Sequence, residues 1–76
     1  MNVTLLNEIK KPAGKNVAIE GNKLIDMNTN NYQNPEILGK LLYTINDECV
    51  VIEKKISNNV TKIYISLDLI KIVITQ

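Results

Sequence analysis

The side chains with chemistry to offer are thinly spread in this sequence, and the densest group lies between Tyr43 and Asp68. Tyr43 and Tyr64 carry rings on which a nucleic-acid base can stack, a contact worth about 1–3 kcal/mol in single-strand binders. The same residue type also packs half-buried at the rim of a sheet with its hydroxyl outward. Tyr32, in a polar stretch, is the third ring and the better candidate for an exposed contact. Asn46 and Asp47 set an amide beside a carboxylate, which together can read a base edge; the pair is equally good turn chemistry. Cys49 begins an apolar run with no base near it in sequence, so a buried, inert thiol is expected rather than a nucleophile. Glu8, Glu20, Glu36, Glu48, Glu53 and the Asp residues show no clustered spacing, and the chain has no His. Neither a catalytic carboxylate pair nor a metal or cofactor site is expected, and the protein reads as a non-enzyme.

Size and composition set the frame for any such site. Seventy-six residues make one domain with a thin core, burying only about 60% of the surface that the unfolded chain exposes. With one Cys and no His, neither an intramolecular disulfide nor a Cys/His zinc site can help. Oligomerisation is the remaining source of burial. The apolar share of 45% is that of a globular domain. Net charge is +1, and every basic residue is Lys. A missing Arg and a near-neutral balance count against tight duplex binding, which usually uses bidentate Arg and a marked basic excess. The apolar runs fall far short of the roughly 20 residues that a membrane span needs, and no leader is visible, so a cytoplasmic protein is expected.

The elements that must position these residues follow from apolar spacing and turn formers. Residues 2–11 read as a short amphipathic helix, capped by Asn2, with Leu5, Leu6 and Ile9 on one face and Pro12 as its stop. Val17-Ala18-Ile19-Glu20 alternates as a strand does, and Gly21-Asn22 closes a hairpin against Leu24-Ile25-Asp26-Met27. Residues 28–35 form an Asn-rich loop, longer than most hairpin connections and either functional or mobile. Ile37 to Ile45 is a strand that Gly39 bends. Asn46-Asp47-Glu48 turns the chain into Cys49–Lys54, and Ser57-Asn58-Asn59 turns it into strand 60–65. A tight Ser66-Leu67-Asp68 step precedes a last strand over 69–75. The expectation is an α+β, mainly β domain: one short helix, then a strongly bent antiparallel sheet of about five strands over 15–75.

That order of elements resembles the Sm-like (LSm) family of small β-barrels. Gly14-Lys15-Asn16-Val17-Ala18-Ile19 looks like the start of the family's first strand. Gly39-Lys40-Leu41, then Asn46-Asp47 and Val50-Val51-Ile52, look like its bent second strand, polar turn and third strand. Ile63-Tyr64-Ile65-Ser66 running into Ile70-Lys71-Ile72-Val73-Ile74 looks like the closing pair. The departures are a longer connection before Gly39, containing the Gly21-Asn22 hairpin, and no Arg-Gly in the last turn. Lys62 at best matches the Lys of the bacterial RNA chaperone's Lys-His pair, with Ile63 where the His would be.

The resemblance implies a homo-oligomeric ring in which the last two strands of neighbouring subunits pair, binding single-stranded RNA or a nucleotide at the junctions. Asn46 and Asp47 would face the base. Lys62, Ser66 and Asp68 would form the other half of the pocket, and Tyr43 or Tyr64 would stack. The competing reading makes Lys62 a solvated strand residue and Asp68 a cap in one turn of 3₁₀ helix. A protein-interaction or structural oligomer, with a protein partner and no nucleic acid, is the alternative function. Its support is the absence of Arg and His and the small basic excess.

Overall fold

A computed structural model of the chain describes residues 2–76. The helix α1 runs Val3–Lys10, as the apolar spacing predicts. Asn2 caps it: its side-chain oxygen accepts from the Thr4 and Leu5 amides at 2.8 and 3.2 Å, two of the donors that a helix start leaves free. Lys11 reaches back to Glu8 at 2.7 Å. Ile9 is fully buried in the core, with Leu5 and Leu6 packed beside it. Burying one such side chain stabilises by about 1.5–3 kcal/mol, which is what holds so short a helix in place.

Six strands follow: β1 Asn16–Glu20, β2 Lys23–Asp26, β3 Ile37–Ile45, β4 Cys49–Ile56, β5 Asn59–Ser66 and β6 Ile72–Ile74. They form one sheet in the order β5-β4-β3-β1-β2-β6. The fold is therefore α+β and mainly β, with six strands where about five were expected, and the sheet does not close into a barrel. The Gly21-Asn22 hairpin forms where the sequence places it. Gly21 takes φ 60°, Glu20 pairs with Lys23, and the resulting two-residue hairpin folds β2 back onto β1. That places β2 between β1 and the last strand, and β6 lies parallel to it. The Lys71 and Ile72 amides both donate to the Asn22 carbonyl, at 2.8 and 3.2 Å, and so hold β6 beside that hairpin turn.

The last strand is shorter than 69–75 because Leu67–Leu69 coils into one turn of 3₁₀ helix. Leu67 and Ile70 are thereby turned into the core. At Gly39 the backbones of β3 and β4 come close: a Cβ there would stand 2.5 Å from the Glu53 carbonyl oxygen. The register of β3 against β4 then shifts between Leu41 and Tyr43, a bulge that adds to the curl. The core inside the curl joins Ile9 with Val17, Leu24, Leu41, Ile52 and Leu67.

The Asn-rich loop is tied down. The Glu20 carboxylate accepts from the Gln33 and Asn34 amides at 2.8 and 2.6 Å, and the Glu36 carboxylate accepts from the Gly21 amide at 3.1 Å. At its start, buried Asp26 caps a 3₁₀ turn over Met27–Thr29 by accepting from the Asn28 amide at 3.0 Å.

Candidate functional site

Directly opposed residues on neighbouring strands put their side chains on the same face. The register of β3, β4 and β5 therefore stacks the expected site residues into rows on the face turned away from the core. Cys49 lies opposite Ile45 and Ser66, Val51 opposite Tyr43 and Tyr64, and Glu53 opposite Lys40 and Lys62. Tyr43 and Tyr64 thus share one row, flanking a fully buried Val51, and remain 44% and 59% exposed. Each tyrosine is thus part covered and part open to solvent beside the buried Val51.

At one end of these rows the chain builds an acidic cleft of about 460 Å³, lined by Asp47, Glu48, Cys49, Ser66 and Asp68. Asp47, Ser66 and Asp68 are brought together within one subunit. Asp47 and Ser66 are also employed locally. Asn46 and Asp47 take φ 50° and 53°, and the Glu48 amide closes their turn onto the Ile45 carbonyl at 2.8 Å. Asn and Asp are the non-glycine residues that best tolerate that left-handed backbone. The Asp47 carboxylate pairs with Lys10 at the end of α1, at 3.2 Å. Ser66, not Asp68, caps the 3₁₀ turn, its hydroxyl accepting from the Asp68 amide at 3.3 Å. Asn46 is exposed and lies outside the lining of the cleft.

Lys62 is not part of this group. Four residues before Ser66 on the same strand, it lies about 13 Å from it along β5. Its row belongs to the opposite end of the meander, where Asn16, Lys40, Glu53, Lys54 and Lys55 surround a second cleft of about 460 Å³. Lys40 and Lys62 face Glu53 across the strands. None of Lys40, Lys54, Lys55 and Lys62 forms an ion pair among the described residues; those that do are Lys10, Lys11 and Lys15. Sequence reasoning did not single out Lys40, Lys54 or Lys55. Lys54-Lys55 was legible as a doublet, but its meeting with Lys40 depends on the Gly39 crossing. Tyr32 is half-buried in a third cleft, beside Glu20 and Lys23.

No group of three metal-ligating side chains occurs among the described residues. Among the same residues, no helix is long and apolar enough to cross a membrane. No protein family, curated protein or solved structure matches the chain.

Proposed function

We propose that this protein is a non-enzymatic, Sm-like binding module of the cytoplasm. In this reading it assembles into a homo-oligomeric ring and takes up single-stranded RNA or a nucleotide where subunits meet. The observation that carries the reading is the place of the last two strands: β5 and β6 are the two edges of the single sheet. β5 offers eight residues with no Pro and one charge, Lys62, and β6 has no charge at all. Edges without such protection pair with other chains, because their outward amides and carbonyls otherwise face only water. A β5-to-β6 contact between copies is head-to-tail, and closes into a ring where the rotation permits.

The acidic cleft stands at the end of β5, so a neighbour docked on that edge would form its second wall. Carboxylates there suit the amino group of a base, which donates, and repel a phosphate. A nucleotide or short oligonucleotide held by its base is the ligand that fits. The test is extraction of the purified protein: a 260/280 nm absorbance ratio above that of clean protein, with nucleotide released on denaturation, is expected. Protein that purifies free of nucleotide, and does not bind it when added, contradicts this reading.

Ile56 and Val60, 57% and 55% exposed near the β4–β5 turn, and Leu69 at 63%, favour the second reading. There the same oligomer offers apolar contacts to a protein partner. Its mark is an oligomer that persists with no nucleotide bound.

A further inference from the structure

We propose that the outer face of β3–β4–β5 is a stacking and phosphate-tracking surface for one nucleic-acid strand, contained within a single subunit and separate from the acidic cleft. It rests on the nucleic-acid half of the reading above, and it holds whether or not a ring forms.

Two independent features of that face meet. The first is the aromatic row: Tyr43 and Tyr64 stand on either side of Val51, in register, and keep 44% and 59% of their surface exposed. The second is the basic end. Lys40 and Lys62 form the next row with Glu53, and Lys55, two residues on from Glu53 and so on the same face, lines the cleft with Lys40. Rows two residues apart on a strand are about 7 Å apart, a reach from a stacked base to a nearby phosphate. Lys40 and Lys62 flank a single carboxylate in this row, so the row carries excess positive charge that a polyanion neutralises.

Rings interleaved with cations are what single strands bind, since every base has a face to stack and every nucleotide a phosphate to neutralise. An acidic protein segment would use the lysines and leave the aromatic row idle, so the tyrosines favour the nucleic acid. The near-neutral net charge does not oppose this. It averages a basic end with the Asp47, Glu48 and Asp68 end of the same meander.

The test is fluorescence anisotropy with a labelled oligouridine of about ten nucleotides, at about 50 and about 200 mM salt. Wild type is expected to bind with a clear salt dependence. Tyr64→Ala should weaken binding about tenfold and Tyr64→Phe should retain it. Lys62→Gln and Lys40→Gln should each weaken binding and reduce the salt slope by about one. Lys11, which ends α1 and pairs with Glu8, lies outside this face, and Lys11→Gln should stay within about twofold of wild type. Tyr64→Ala also uncovers Val51, so the two lysine variants decide the matter where that protein fails to fold.

No binding by folded wild type at the lower salt overturns the proposal. So does binding that Lys62→Gln leaves intact and Asp68→Asn abolishes; that result would keep the junctional site and reject this face. An oligoglutamate peptide that binds more tightly than the oligouridine would assign the lysines to a protein partner instead.

Discussion

At one end of the β3–β4–β5 meander Asp47 and Ser66 are already engaged, and at the other the lysines are not. Asp47 is paired with Lys10, Ser66 caps the Leu67–Leu69 turn, and Asn46-Asp47 supplies the left-handed backbone that reverses the chain. Lys40, Lys54, Lys55 and Lys62 have no such partners among the described residues. The contrast separates two reasons for a polar residue to stand where it does. Turn and cap residues stand out in a sequence because they are local and adjacent. Unengaged charge gathers from strands far apart in the chain, and goes unnoticed until the strands are paired. At the acidic end Asp47 and Ser66 are used in the fold itself, whereas the lysines of the basic end are left with charge to spare.

The largest effect expected from this contrast is at Leu67, which anchors the acidic end in the core. Leu67→Ala should cost about 2–5 kcal/mol, lowering Tm by roughly 10 °C or more for a domain of this size, read by thermal denaturation. Next comes Gly39→Ala at the basic end. Its Cβ would meet the Glu53 carbonyl oxygen at 2.5 Å and Ile52 Cγ2 at 2.6 Å. The strand must shift, at about 1–3 kcal/mol, and denaturant unfolding should show an unchanged m with a lower midpoint.

Those two positions also mark how much of the molecule was legible. Gly39 announced an irregularity in β3, because a glycine inside an apolar strand has few other uses. The helix over Val3–Lys10 and the Gly21-Asn22 hairpin were equally readable, each carrying its own cap or turn signal. Leu67 was not readable as an anchor. Ser66-Leu67-Asp68 looks like a bare link until the 3₁₀ turn rotates Leu67 inward. Nor was the parallel β2–β6 pairing, which depends on where two distant segments meet and leaves no local mark. Of the candidate site, Asn46-Asp47 was legible as a turn, and the structure gives it that role. The separation of Lys62 from Ser66 follows from strand rise alone, about 13 Å over four residues, but its meeting with Lys40 and Glu53 requires the register of the strands.

Smaller effects sharpen the comparison. Ser66→Ala removes the cap of the 3₁₀ turn and should cost about 1 kcal/mol, measured by equilibrium unfolding. Lys40→Gln should leave stability within about 0.5 kcal/mol, because no folded-state ion pair is lost. A loss above about 1 kcal/mol there would erase the distinction between the two ends.

The most direct test of the assembly at the centre of this account is the mass of the purified full chain in solution, by multi-angle light scattering across a range of protein concentrations. Edges as open as β5 and β6 predict a single species at a whole multiple, well above one, of the 8.6 kDa chain mass. A species that stays at 8.6 kDa at every concentration would contradict it.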